Sequence, residues 1–162
     1  MNQKTRFLTR GALIAALYVA LTMLSQAVGL ASGVIQLRLG EALTVLPAFT
    51  SAAIPGLAVG CLLANLLCGC LPLDILFGTV ATLLGAVGTY LLRKKSALLA
   101  PVPPIAANTL IIPFILQYVY RFPGSLPYHF LTIFVGELLS CGVLGLLLYV
   151  GVKHARLFPQ EP

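Results

Sequence analysis

The sequence predicts an all-α membrane protein, a bundle of six transmembrane helices with the N- and C-termini cytoplasmic. Three observations predict it. Hydrophobic residues make up 59% of the 162 positions and charged residues 9%, with a mean hydropathy of +1.01. A soluble domain is about half apolar and roughly a quarter charged, so this chain lacks the polar residues to cover a water-facing exterior. Apolar runs recur at about the 20-residue length of a bilayer-crossing helix. Lysines and arginines gather at alternate breaks between those runs, as they do in cytoplasmic loops.

Lys4, Arg6 and Arg10 precede the first run, residues 11–30. That run lacks a small-residue cleavage site followed by a soluble domain, so it is expected to remain as a helix. A loop with Gln36 and Arg38 leads to a short second segment, about 37–50, which ends at Thr50-Ser51, a start signal for the next helix. The third helix covers about 54–68, with Pro55 tolerated in its first turn. A tight turn at 69–72 precedes the fourth, 73–92, which stops at Arg93-Lys94-Lys95. Pro101, Pro103 and Pro104 open the fifth, 101–120. After a turn-rich loop the sixth runs over about 127–152 and is followed by Lys153 and Arg156. The whole of 1–162 is thus one integral membrane domain, with no linker and no internal repeat.

Charge decides the crossing number. With six crossings and a cytoplasmic N-terminus, Lys4, Arg6, Arg10, Arg93, Lys94, Lys95, Lys153 and Arg156 all lie inside, and only Arg38 and Arg121 outside. With five, the Arg93–Lys95 cluster would oppose the N-terminal charges, so the second segment is expected to cross. The net charge of +6 therefore reads as topology and lipid headgroups, and no nucleic-acid partner is expected. Tyr90, Tyr118, Tyr120, Tyr128 and Tyr149 fall near helix ends, as interfacial aromatics do.

Acids in an apolar chain carry the sharpest chemical signal, because charge in lipid is costly. There are four: Glu41, Asp74, Glu137 and Glu161. Glu161 belongs to a solvated tail. The other three fall in the outer half of the membrane on three helices, a layout suited to an outward pocket for a polar or cationic solute. Structural alternatives stand beside each. Arg38 and Glu41, three apart, can pair at a helix end. Asp74 can serve its helix N-terminus. Glu137 can pair with Arg121 or sit as a protonated, hydrogen-bonded acid.

Asn65, Asn108 and Gln117 are amides within spans, placed either to bond between helices or to read a ligand. Pro113 frees the carbonyl of Thr109 inside the fifth span. Ala12, Ala16 and Ala20, with Gly11 and Ala15 beside them, form a small-residue stripe where a helix can approach closely, within this chain or on a partner. Cys61, Cys68, Cys70 and Cys141 have no CxxC spacing and read as small hydrophobes, and no metal site is expected. A GxxxxGK[ST] phosphate loop, HExxH and GxSxG are all missing from the sequence.

The stretches IQLRLGEALTVLP (Ile35–Pro47), IPGLAVGCLLANLL (Ile54–Leu67), LDILFGTVATLLGAVGTYLL (Leu73–Leu92) and LAPVPPIAANTLIIP (Leu99–Pro113), with GELLS at Gly136–Ser140, resemble the QueT family of queuosine-precursor transporters. The likeness covers most of the chain. It implies the substrate-binding S component of an energy-coupling factor (ECF) type ABC importer in a bacterial plasma membrane. The implied partners are an EcfT-type transmembrane coupling subunit and two ECF ATPases, which hydrolyse ATP in its place, so the chain itself needs no cofactor. The resemblance maps Ala12, Ala16 and Ala20 onto the face toward the coupling subunit. The implied ligand is a 7-deazaguanine such as the aminomethyl precursor or queuine. Glu137 and Glu41 are the foremost ligand-binding candidates, followed by Asp74, Gln36, Asn108 and Gln117. The other readings are an S component for another vitamin-like solute, an intramembrane enzyme using Glu137 or His129, and a stand-alone carrier or scaffold.

Overall fold

The computed structural model describes residues 2–31, 35–155 and 157, and among these there are helices and no strand. Arg156 and Glu161 lie outside the described residues. The elements are α1 (Gln3–Ala27), α2 (Leu39–Ala48), α3 (Ala53–Leu67), α4 (Pro72–Leu92), α5 (Ala97–Val119) and α6 (Leu126–His154). Four of them, α1, α4, α5 and α6, are long and apolar enough to cross a membrane; α2 and α3 are shorter apolar helices. Large side chains such as Leu13, Leu17, Leu62, Leu83, Leu110, Leu131 and Leu147 are exposed on the outside of the bundle. Such a coat suits lipid and would be an aggregation surface in water. The chain is a membrane protein.

Successive helices run back and forth. The end of α1, the α3–α4 turn and the α5–α6 turn meet around one cavity at one face. At the other face Phe49, after α2, packs on Tyr149 of α6 with ring centroids 4.6 Å apart. The Thr89 hydroxyl there donates to the Ala100 carbonyl at 2.7 Å. Gly69, at φ 71°, ends α3 in the left-handed region, which turns the Cys70 N–H back to Asn65 O at 3.0 Å. α1 and α3 approach closely through small residues: a Cβ on Gly56 would stand 2.6 Å from Gly11 O, and one on Gly60 3.1 Å from Ala15 Cα. Gly11 and Ala15 therefore pack inside the protein, whereas Ala12, Ala16 and Ala20 are exposed on the other side of the same helix.

The second segment differs from its sequence reading. In place of a helix over 37–50 there is a ten-residue 3₁₀ helix, Leu39–Ala48, and every residue from Gly40 to Pro47 is buried. It touches α1, α3, α4 and α6, and it contributes no exposed large hydrophobic. The bundle wraps around it. This explains its weak transmembrane signal: a segment enclosed by protein needs no lipid-facing stripe. A 3₁₀ helix has three residues per turn, so positions three apart line up along one face. Glu41 and Thr44 are so aligned, with Arg38 as the cap before them.

The two C-terminal long helices also change geometry midway. α5 passes into a π-helical turn at Ile115–Val119, just after Pro113. α6 does so at Leu138–Leu144, directly after Glu137. Such turns often mark functional sites.

Candidate functional site

The cavity holds about 620 Å³, within the ~300–1,000 Å³ common for small-molecule sites. Thr22 and Gln26 of α1, Gln36 and Arg38 before α2, Asn65 and Cys68 to Cys70 at the α3–α4 turn, Asp74 of α4, Tyr120 and Phe122 after α5, and Tyr128, His129 and Thr132 of α6 line it. Its aromatic members are partly ordered among themselves: Tyr120 and Phe122 stack at 5.8 Å, and Tyr128 packs edge-on to His129 at 5.8 Å.

Asp74 is buried and lies in the first turn of α4. The sequence offers it a helix-end role, and the structure gives it a tertiary one as well: the Tyr120 hydroxyl donates to its Oδ2 at 2.8 Å and accepts from Leu71 N at 3.2 Å. Burial pushes the Tyr120 phenol above its ordinary pKa, so it stays protonated and a donor at neutral pH. Tyr120, read from sequence as an interfacial aromatic, thereby ties α5 to α4.

One turn further into the bundle than Arg38, Thr22 and Thr132 sits an acid pair. Glu41 is 2% exposed and Glu137 9%. Their carboxylates and the Cys141 thiol lie within 4.8 Å of one another. The Cys141 thiol donates to Glu137 Oε2 at 3.1 Å, and the Tyr18 hydroxyl donates to Glu41 Oε1. Thr44 Oγ1 bonds the Glu41 carbonyl at 2.6 Å and reaches Cys141 Sγ at 3.4 Å. Glu137 and Cys141, one helical turn apart on α6, thus meet Glu41, about 100 positions earlier in the chain, a cluster that sequence spacing did not disclose. Of the structural alternatives for these acids, the bonds among the described residues are Tyr18 to Glu41 and Cys141 to Glu137, with the Arg38 guanidinium bonded to Gln36.

The loop before α2 is fixed against both neighbours. Arg38 N donates to Ser140 Oγ at 3.1 Å and Leu39 N to Ser25 Oγ at 2.8 Å. Gly136 allows this, because a Cβ there would strike the Gln36 carbonyl. GELLS has a physical meaning here: a glycine for close approach, a buried acid, and a serine that accepts the arriving backbone.

Several buried polar atoms have no hydrogen bond of good geometry among the described residues: Glu41 Oε2, Asn108 Nδ2, Gln117 Oε1, Thr22 Oγ1 and His129 Nε2. Two of them adjoin, because Asn108 of α5 stands beside both Glu41 and Glu137. Buried polar groups are nearly always paired, so Asn108 belongs with the acid pair as one polar group. Of the ligand-binding candidates named from sequence, Gln36 and Asp74 line the cavity, whereas Glu41, Glu137, Asn108 and Gln117 do not; Asn65 and His129, singled out for other roles, line it too. Sequence reasoning missed Tyr18 and Thr22. The signal for Tyr18 was present: of six tyrosines it alone falls in the middle of an apolar run, where a hydroxyl needs a partner.

A helical bundle with an apolar outer coat and a cavity of mixed lining opening at one face has the build of a polytopic membrane protein that handles a small solute. The QueT transporter family matches residues 8–154, most of the chain, and the protein belongs to that family. It is a transporter rather than an enzyme. No curated protein and no solved structure matches it.

Proposed function

We propose that this chain is the solute-binding S component of an ECF-type importer in a bacterial plasma membrane, and that it takes up a 7-deazaguanine precursor of queuosine. The observation that supports it most is the cavity above two adjoining buried carboxylates with Asn108 beside them. Two carboxylates this close within a bilayer need a proton or a cation between them. A protonated aminomethyl group supplies one, and the N–H edge of a guanine-type ring supplies paired donors for a carboxylate. ATP hydrolysis and coupling fall to an EcfT-type subunit and two ATPases, with Ala12, Ala16 and Ala20 as the exposed strip that meets them.

On this reading all six helices cross and both termini are cytoplasmic. The ten residues of α2 rise about 20 Å as a 3₁₀ helix, and three extended residues before it add about 10 Å. Together they match the ~30 Å hydrocarbon thickness. The cavity then opens outward. The test is calorimetric titration of the purified protein with the aminomethyl deazaguanine, queuine and a panel of vitamins, alongside co-purification with the ATPases. Binding of a deazapurine and retention of the ATPase pair are expected. Binding of a vitamin alone would overturn the ligand assignment, and uptake without any coupling subunit would overturn the S-component role.

A further inference from the structure

We propose that Arg38 reads a carbonyl acceptor on the bound solute, so that the site selects a 6-oxo ring over its 6-amino counterpart. The inference rests on the reading that this cavity holds a deazapurine, and it adds a second, chemically opposite pole to the acid pair.

The backbone of Arg38 is pinned to α6 through Ser140 and, by its neighbour Leu39, to α1 through Ser25. Its side chain is not used up in the same way. Among the described residues the guanidinium makes one hydrogen bond, from Nη2 to Gln36 Oε1 at 3.3 Å, and no ion pair. A guanidinium carries five N–H donors, so most of its capacity faces the cavity that it lines. Asp74 lines the same cavity and, with Glu41, is among the negative charges that act on Arg38; its Oδ2 accepts from Tyr120. Thr22 and His129 also line the cavity, with their Oγ1 and Nε2 atoms buried against Gly40 and Gly124.

Arg38 caps the 3₁₀ helix, its carbonyl accepting from Glu41 N at 3.0 Å, so Glu41 lies one turn of chain below it. Glu41 is buried beneath the cavity and does not line it, so a solute that reaches from Arg38 down to it must present donors below and an acceptor above. 7-Deazaguanine does so along one edge: its N1–H and 2-amino N–H face a carboxylate, and its 6-oxo group lies beside them, toward the arginine. In 2,6-diamino-7-deazapurine the ring N1 carries no hydrogen and the 6-position becomes a donor. It would set N–H against N–H at Arg38 and a lone pair against the acid.

The experiment is calorimetric titration of the wild type, Arg38→Ala and Arg38→Lys with 7-deazaguanine and with 2,6-diamino-7-deazapurine. Melting and size-exclusion profiles monitor the fold. The wild type is expected to prefer the 6-oxo base by about ten- to a hundredfold, the worth of a charge-assisted hydrogen bond. Arg38→Ala should lose a similar factor for that base and erase the preference, with Arg38→Lys between. A wild type that binds both bases equally overturns the inference and leaves the proposed function standing, and this arm needs no variant to fold. An Arg38→Ala protein that melts like the wild type and keeps its preference also overturns it. A wild type that binds neither base overturns the inference and the ligand assignment together.

Discussion

Gly136→Ala is the sharpest perturbation of the site, because one methyl acts on a backbone that has nowhere to rotate. A Cβ at Gly136 would strike the Gln36 carbonyl oxygen and stand 3.3 Å from its carbon. The segment from Gln36 to Arg38 must then move off α6, which opens the 3.1 Å bond from Arg38 N to Ser140 Oγ. Overpacking of this kind costs about 1–3 kcal/mol, and the lost bond about 1. Alanine's better helix propensity returns about 1. The net loss is about 1–3 kcal/mol, a fall of roughly 2–10 °C in melting temperature for a chain of this size. Solute affinity should fall as well, since Arg38 and Glu41 ride on the displaced segment. Gly151→Ala, on the same helix, is the control: nothing lies within 4 Å of a Cβ there, so it should leave affinity unchanged and melt at the same or a slightly higher temperature. The readouts are differential scanning fluorimetry and calorimetry in detergent. If Gly136→Ala melts and binds as the wild type does, the close approach of the loop to α6 is not what holds the site.

Glu41→Gln, which removes the acceptor of the edge that both ligands share, should weaken the aminomethyl deazaguanine and neutral 7-deazaguanine alike by about tenfold or more, whereas Glu137→Gln should weaken the aminomethyl ligand more than the neutral one; equal losses from Glu137→Gln would mean that this acid does not recognise the cation. Tyr18→Phe leaves Glu41 Oε1 without its donor and should destabilise the protein by about 1–3 kcal/mol, with an unchanged melting curve counting against the network. For topology, Pro123→Cys and Lys95→Cys, both at exposed positions, are placed in a background with Cys68 and Cys70 replaced by serine. A membrane-impermeant maleimide should label the first in intact cells and the second only after permeabilisation. The reverse pattern would turn the cavity toward the cytoplasm.

Most of the helices were legible because lipid imposes a simple rule, a long apolar run per crossing, and α1, α4, α5 and α6 obey it. α2 does not. Its partners are other helices on every side, so neither hydropathy nor periodicity marks it, and nothing in LGEALTVLPA announces a 3₁₀ geometry. The acids were legible because rarity in an apolar chain is itself a signal. Their neighbours were not, since Tyr18, Thr44 and Cys141 are ordinary residues until a three-residue register and a π turn bring them to one point. For Arg38, spacing left two readings open, a pair with Glu41 or a place in the site; the structure puts Arg38 at the cavity and bonds Glu41 Oε1 to Tyr18.

α1 joins the two halves of the proposed function. Tyr18 and Thr22 face the acid pair and the cavity, while Ala12, Ala16 and Ala20 are exposed on the outside. Two residues of α-helix amount to about half a turn, so Ala16 and Ala20 stand opposite Tyr18 across a single helix. A solute that draws Glu41 toward itself pulls on the Tyr18 hydroxyl, and α1 is also held to α2 by Ser25 and to α3 at Gly56 and Gly60. Any rotation of α1 that relieves this pull re-aims the alanine strip. Substituting Ala16 with a bulky residue should therefore disturb assembly with a coupling subunit and leave solute binding intact, whereas Tyr18→Phe should disturb binding first. That order of effects is what a one-helix link requires, and a loss of both functions from Ala16 alone would break it.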